Sequence, residues 1–162
     1  MRKIIVGVMG PGDDATDSDK TFAHELGRMI AENDWVLLSG GRNVGVMDAV
    51  SKGAKSVDGL TIGVLPGADD DNASEAVDLA IITHMGDARN NINIHSAHAV
   101  IVCGMNPGTA SEVALGMKIG KQMILVNNSE ESVNFFKTLG EELVHVADSP
   151  ERAIELVKKV LG

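Results

Sequence analysis

Residues 99–112 read AVIVCGMNPGTASE, a run of apolar residues rich in β-branched side chains that passes into a glycine turn and a polar segment. The pattern predicts a buried strand at 99–103, followed by a helix that begins near Thr109. A helix that starts where a strand ends directs several unpaired backbone N–H groups at one point outside the sheet edge. Such a point attracts phosphate. Glu112, one turn inside the helix, would lie beside the bound anion.

The composition limits the classes of function. A chain of 162 residues suits a single domain over residues 1–162. No apolar run reaches the roughly 18 residues that span a bilayer, and the net charge of −9 disfavours nucleic acid, which needs a basic surface. We therefore expect neither a membrane nor a nucleic-acid partner.

The single cysteine, Cys103, excludes an internal disulfide and favours a reducing, cytoplasmic location.

Short apolar runs alternate along the chain with segments of helical period, as in a parallel sheet covered on both faces. Strands are predicted near 3–9, 35–39, 60–65, 79–83, 99–103, 123–126 and 143–147. Helices are predicted near 19–32, 44–56, 88–97, 109–119, 130–139 and 149–161. The predicted fold class is α/β: a three-layer, Rossmann-like, doubly wound and mostly parallel sheet of about seven strands with helices on both faces.

Three loops with the composition of phosphate-binding turns follow predicted strands. In open α/β sheets, ligands bind beyond the carboxyl ends of the strands, and glycine lets the backbone approach a phosphate closely. A single such loop is weak evidence, since strand-to-helix turns also use glycine for structural reasons, but three at one edge predict a ligand site. The ligand-binding residues predicted in these loops are Gly10, Gly12, Ser39, Gly40, Gly41, Arg42, Gly45, Met47, Gly104, Asn106, Gly108 and Thr109.

Arg89 and Glu112 are the candidate catalytic residues, and each has an alternative interpretation. Arg89 stands at the predicted start of a helix, where the helix dipole disfavours a cation; this points to a function, although an exposed or interface arginine is the alternative. Thr109 to Glu112 also fits a capping box, with Thr109 as the N-cap and Glu112 reaching back to it. No third ligand with metal-site spacing accompanies His95 and His98, so no metal site is predicted.

These residues together resemble the LOG superfamily, the Rossmann-like group that contains cytokinin-activating phosphoribohydrolases. The family pairs an arginine, usually followed by lysine, with a PGGxGTxxE loop. Arg89 falls at the arginine, and Gly108, Thr109 and Glu112 fall at the GTxxE part. Asparagine follows the arginine here, at Asn90, and in this respect the chain resembles the branch that includes molybdenum cofactor carrier proteins, where asparagine replaces the lysine. The PGG triplet is replaced here by Gly104-Met105-Asn106.

The resemblance implies a small phosphorylated ligand of the nucleotide or molybdopterin type, bound with the help of Arg89 and Asn90. The leading hypothesis is a molybdenum-cofactor-carrier-like or nucleotide-binding protein that assembles as a homodimer or homotetramer. The first alternative is a phosphoribohydrolase, in which Glu112 binds the ribose and activates water while Arg89 stabilises developing charge. That hydrolysis requires no cofactor; the molybdenum cofactor would be a carried ligand. The second alternative is a non-catalytic nucleotide sensor.

Overall fold

A computed structural model describes residues 2–162 as alternating strands and helices. The strands are β1 (Ile5–Met9), β2 (Val36–Ser39), β3 (Thr61–Leu65), β4 (Leu79–Ile82), β5 (Ala99–Cys103), β6 (Met123–Val126) and β7 (Val144–Ala147). The helices are α1 (Asp17–Glu32), α2 (Gly45–Lys55), α3 (Asn90–Ser96), α4 (Pro107–Lys118), α5 (Glu130–Gly140) and α6 (Pro150–Leu161). Two short 3-10 turns, Gly86–Arg89 and Glu141–Leu143, precede α3 and β7.

The seven strands form one sheet in the order β4-β3-β2-β1-β5-β6-β7. The predicted three-layer α/β fold is confirmed, and every neighbouring pair of strands is parallel rather than most of them. The order runs one way from β1 to β4 and the other way from β5 to β7. The loops that leave the adjacent strands β1 and β5 therefore diverge to opposite faces of the sheet and open a crevice between them.

The helices cover both faces because side chains alternate along the central strands. Ala99, Ile101 and Cys103 of β5 pack in the core beneath α1, α2 and α6. The intervening Val100 and Val102 pack in the second core, beneath α3, α4 and α5. Every residue of β5 is buried, as expected for a central parallel strand. The two cores hold the strand ends rigidly at the crevice.

The sheet is less protected at β4, its outer strand. No helix lies between β3 and β4, and each residue of β4 is exposed, with Leu79, Ile81 and Ile82 each exposed by about half. Apolar side chains therefore reach solvent on both sides of this strand. No helix in the described residues 2–162 is long and apolar enough to cross a membrane.

Three helices begin two residues away from their predicted starts, and the first of them, α1, begins at Asp17 instead of residue 19. The helix predicted at 88–97 begins at Asn90, and Arg89 ends the 3-10 turn that precedes it. The helix predicted to begin at Thr109 begins at Pro107 instead, with Asn106 as its N-cap. Asparagine is among the best N-caps, and proline suits the first helical position. The Asn106-Pro107 pair therefore starts the helix ahead of Thr109.

Candidate functional site

A cavity of about 200 Å³ lies at the carboxyl end of β1, beside the start of α4. Its walls come from the glycine loops after β1 and β2, the 3-10 turn before α3 and the first two turns of α4. It is lined by Val8, Met9, Gly10, Gly12, Gly40, Arg42, Met47, Asp87, Arg89, Asn90, Asn106, Gly108, Thr109 and Glu112. The cavity is thus the crevice that the strand order creates.

Most of the predicted site residues meet at this cavity, and four stand behind it. Those that line it are Gly10, Gly12, Gly40, Arg42, Met47, Arg89, Asn90, Asn106, Gly108, Thr109 and Glu112. Ser39, Gly41, Gly45 and Gly104 do not line it but shape its walls. Ser39 Oγ, for example, accepts a hydrogen bond of 3.1 Å from the amide of Gly41 and so orders the second glycine loop.

At several glycines around the cavity, including Gly40 and Gly104, an added Cβ would collide with a neighbouring atom. At Gly40, an added Cβ would stand 2.6 Å from Met47 Sδ and 2.9 Å from Arg89 Nη1. The missing side chain at Gly40 therefore leaves room for the guanidinium and for Met47 against this loop. Gly104 has φ +76°, in the left-handed region, and a Cβ there would stand 2.5 Å from Asp19 Oδ1. This glycine turns the chain from β5 towards the N-cap of α4.

The start of α4 presents hydrogen-bond donors to the cavity. Asn106 Oδ1 accepts a hydrogen bond of 2.9 Å from the amide of Thr109, and the amide of Gly108, at the second helical position, has no carbonyl partner within the helix. The Thr109 side chain is 1% exposed, and its hydroxyl has no hydrogen-bond partner. This helix end is therefore capped on one amide and leaves an amide and a hydroxyl for a ligand.

The capping-box interpretation of Thr109 and Glu112 is wrong. Because Asn106 is the N-cap, Glu112 lies six residues beyond it, too far along the helix to reach the N-cap amide. Glu112 Oε1 instead accepts a hydrogen bond of 3.2 Å from Asn93 Nδ2 on α3. Its carboxyl group is therefore available to the cavity.

Arg89 is held in place with part of its hydrogen-bonding capacity unused. The residue is 9% exposed, and its Nη1 donates to Asn90 Oδ1 at 2.9 Å. Asn90 Nδ2 in turn donates to Ser111 Oγ at 3.3 Å, which links the guanidinium to α4. Arg89 Nε is buried without a partner. Loss of solvent lowers the pKa of Arg89, as does the positive charge of Arg42, while the negative charges of Glu112 and Asp87 act in the opposite direction.

Glu112 is a buried acid beside this arginine. It is 6% exposed, and burial raises its pKa to about 7, although the hydrogen bond from Asn93 and the charge of Arg89 act in the opposite direction. Within the described part of the chain, Glu112 and Arg89 form no ion pair. Near neutral pH both the protonated and the ionised forms of the carboxyl group are therefore populated.

The charges at the rim are partly engaged elsewhere. Arg42 Nη2 lies 3.6 Å from Asp13 Oδ2, and Asn106 Nδ2 donates to Asp14 Oδ1 at 2.9 Å. These contacts hold the first glycine loop against the second loop and α4. Arg89 is buried and forms no ion pair within residues 2–162, so it is the cation in the cavity wall that is most available to an anion.

Sequence reasoning did not place Val8, Met9, Asp87 or Asn93 at the site. Val8 and Met9 belong to a strand, where an apolar residue reads as core. Asp87 lies two residues before Arg89, and Asn93 lies one turn after Asn90. The spacing of three residues between the two asparagines puts them on one helix face, a signal that could have identified Asn93.

Comparison with known proteins gives consistent matches over almost the whole chain. Residues 3–154 match the model of the SLOG cluster4 family. The molybdenum cofactor binding protein from the phototrophic bacterium Rippkaea orientalis is 52% identical, with a TM-score of 0.98 over 100% of this chain and 99% of that chain. The molybdenum cofactor carrier protein of Chlamydomonas reinhardtii is 48% identical, with a TM-score of 0.94 over 99% of each chain.

A curated relative extends these matches to an archaeon. It is an uncharacterised protein of Archaeoglobus fulgidus, 37% identical over 147 residues, which cover 83% of this chain and 95% of the relative. The resemblance inferred from Arg89, Asn90 and the Gly108 to Glu112 segment is thereby confirmed. The chain belongs to the SLOG cluster4 family.

Proposed function

We propose that the chain binds and carries a small ligand bearing a phosphate group, of the molybdopterin or nucleotide type, in the cavity at the start of α4. The observation that carries the proposal is a pair of buried donors without partners among residues 2–162, Arg89 Nε and Thr109 Oγ1, which belong to two residues that line one cavity. A buried polar group without a partner costs about 1–3 kcal/mol. A phosphate oxygen would accept both missing hydrogen bonds and so recover that cost.

The surroundings of these two donors suit an anion. The amide of Gly108 and the dipole of α4 favour negative charge at the same point. Arg89 adds a full positive charge that is desolvated and, within residues 2–162, not paired with a carboxylate. The similarity to the two molybdenum cofactor proteins supports a pterin-type ligand.

The size of the cavity supports partial enclosure of the ligand. Its volume of about 200 Å³ is below the roughly 300–1,000 Å³ of pockets that enclose drug-sized ligands. We therefore propose that the phosphate end enters and that the remainder lies over the mouth, near Gly12 and Asn106. A carrier benefits from this arrangement because the exposed part of the ligand stays accessible to a receiving protein.

Retention of the molybdenum cofactor by the purified chain tests the proposal. The chain is incubated anaerobically with the cofactor and passed through a gel-filtration column, and molybdenum and pterin are measured in the protein peak. Both should co-elute with the wild-type chain and with Arg152→Met, a change in an exposed arginine on α6, but not with Arg89→Met. Equal retention by Arg89→Met, or no retention by the wild type, would contradict the proposal.

A second candidate function is hydrolysis of nucleoside 5′-monophosphates, favoured by the shared cavity of Arg89 and Glu112. Glu112 would take a proton from the attacking water, whose oxygen joins the sugar carbon as the N-glycosidic bond breaks; the leaving base takes a proton from solvent, and Glu112 then returns its proton to solvent. Release of free base from AMP and related monophosphates tests it. Turnover that Glu112→Gln abolishes would establish the hydrolase; binding without turnover would exclude it.

We also propose cytoplasmic location and assembly as a homodimer or homotetramer. The exposed apolar side chains of β4 support assembly, because a bare edge strand favours association. Light scattering on the purified chain measures the mass of the particle directly. A monomer at micromolar concentration would contradict the assembly.

A further inference from the structure

The carboxyl group of Glu112 has an environment that does not suit a permanent negative charge. Among the described residues it accepts a hydrogen bond from one neutral donor, Asn93 Nδ2, and it lines a cavity that also contains Arg89 and the start of α4. Asn93 is 0% exposed, and its Oδ1 has no partner, so nothing else engages its amide. An ionised Glu112 would therefore face a bound phosphate, and two like charges at short range repel strongly where water is excluded.

We infer that Glu112 takes part in ligand binding as a neutral carboxylic acid that donates a hydrogen bond to an anionic oxygen of the ligand, and that Asn93 is the positioning residue that orients it. The inference rests on the proposed function, since it assigns a role within the same anion site. When the ligand enters a site with an ionised Glu112, the carboxylate takes one proton from solvent. Overall, the chain with an ionised Glu112, one anion and one proton combine to give the complex, in which Glu112 is protonated.

None of the charged groups around Glu112 prevents its carboxyl group from being the site that takes up the proton. The 3-10 turn contributes Arg89 and Asp87, and the second glycine loop contributes Arg42. Arg89 is the charged group that acts on Glu112, and its attraction is outweighed by burial, which raises the pKa of Glu112 to about 7. Asp13 and Asp14 of the first loop are exposed and are engaged by Arg42 and Asn106. On α3, His95 is exposed, and on α4 Lys118 stands at the far end.

Protonation of Glu112 also makes the hydrogen-bond donors of the site complementary to the acceptor oxygens of the ligand. A phosphate oxygen only accepts hydrogen bonds, whereas a carboxylate has none to give. A protonated Glu112 adds a donor beside those of Arg89 and Thr109. Selectivity follows: the site favours a ligand that presents an anionic oxygen to the buried acid over one that presents a hydroxyl or an amine.

Calorimetric titration with sulfate tests the inference, because sulfate stays a dianion between pH 5.5 and 8.5. Each titration is run in two buffers of different ionisation enthalpy, which gives the number of protons taken up. The wild type should bind sulfate at least about tenfold more tightly at pH 5.5 than at pH 8.5 and take up close to one proton at pH 8.5. Glu112→Gln should bind equally at both pH values and take up none.

Glu155, an exposed glutamate of α6 at the same distance from its N-cap as Glu112, supplies the matched control, since Glu155→Gln should behave as the wild type. Binding by the wild type that does not change with pH, or proton uptake that persists in Glu112→Gln, would overturn the inference. Absence of sulfate binding by every variant at every pH would instead overturn the proposed anion site, and the inference with it.

The positioning role of Asn93 is tested by the pH at which the affinity for sulfate falls. Its hydrogen bond lowers the pKa of Glu112, so Asn93→Leu should raise that pKa and move the fall in sulfate affinity to higher pH. Asn93→Gln, which keeps an amide, should move the fall back towards that of the wild type. A loss of affinity that is uniform from pH 5.5 to 8.5 in Asn93→Leu would show a merely structural residue.

Discussion

Helices α4 and α6 begin with the same sequence pattern, but the side chains near their amino-terminal ends have different environments. Each has a polar N-cap followed by proline: Asn106-Pro107 in α4 and Ser149-Pro150 in α6. Each carries a glutamate six residues after the cap. In α6, Glu155 is exposed, and its Oε2 lies 2.7 Å from Arg152 Nη1. In α4, Glu112 is buried, and within residues 2–162 its carboxyl group has one hydrogen-bond partner, the side-chain amide of Asn93.

The difference lies in what stands in front of each helix. Arg152, at the third position of α6, is exposed and paired within its own helix, whereas Thr109, at the same position of α4, is buried with a free hydroxyl. The crevice between β1 and β5 brings Arg89 and Asn93 to α4 and brings no such residues to α6. Local sequence therefore starts a helix, and the strand order decides whether that helix end becomes a site.

The largest expected contrast is in ligand affinity after removal of an arginine. Arg89→Met should lower the affinity for the phosphorylated ligand by about a hundredfold or more, because it removes charged hydrogen bonds worth about 1.5–3 kcal/mol each. Arg152→Met should leave the affinity unchanged. Titration calorimetry on both variants measures the ratio, and comparable losses would erase the distinction between the two helices.

The next contrast is in stability. Burial holds the pKa of Glu112 at about 7 in the folded chain against an ordinary 4.5, so the folded protein binds this proton more tightly than the unfolded chain does. The contribution of Glu112 to stability is therefore fully present below pH 4.5, is lost as the pH rises through 7, and stays lost above. Glu112→Gln removes the penalty and should stabilise the chain by about 3 kcal/mol at pH 8.

Thermal or denaturant unfolding at pH 8 and pH 5 measures this effect. The advantage of Glu112→Gln should shrink towards pH 5, where the wild-type acid is already neutral. Glu155→Gln should change stability by less than about 0.5 kcal/mol at both pH values, because exposed ion pairs contribute little. A Glu112→Gln chain no more stable than the wild type at pH 8 would mean that the carboxylate is well solvated.

The two N-caps separate folding from binding. Asn106→Ala and Ser149→Ala should each cost about 1 kcal/mol of stability, since each removes one side-chain acceptor for a helix amide. Only Asn106→Ala should also weaken ligand binding, because Asn106 positions the first turn of α4 and holds Asp14. Denaturant unfolding together with titration of both variants distinguishes the effects; weaker binding in Ser149→Ala would count against the comparison.

The smallest effect expected is at Thr109. Thr109→Val replaces a buried hydroxyl without a partner by a methyl group of the same shape, so stability should change by less than about 0.5 kcal/mol. Ligand affinity should fall by about fivefold, the value of one hydrogen bond near 1 kcal/mol. An unchanged affinity would show that the hydroxyl does not face the ligand.

Much of this architecture can be predicted from local patterns. The strand at 99–103 and the parallel α/β sheet follow from apolar runs alternating with helical periods, and Arg89 and Glu112 follow from the family motif. The predicted start of α4 is wrong because Thr109 to Glu112 fits a capping box, although Asn106-Pro107 is also a helix-start signal. Asn93 and Asp87 also escape prediction, since their place at the site depends on how the 3-10 turn and α3 cross the sheet end.

The most direct test of the central claim is to observe where an anion binds. Inorganic phosphate is added to the ¹⁵N-labelled chain, and two-dimensional NMR follows the amide of Gly108 and the Nε–H of Arg89. At the start of α6, the amide of Glu151 serves as the matched reference. Saturable shifts at Gly108 and Arg89 with none at Glu151 are the predicted result; equal shifts at the two helix ends, or none at Gly108 and Arg89, would contradict the account.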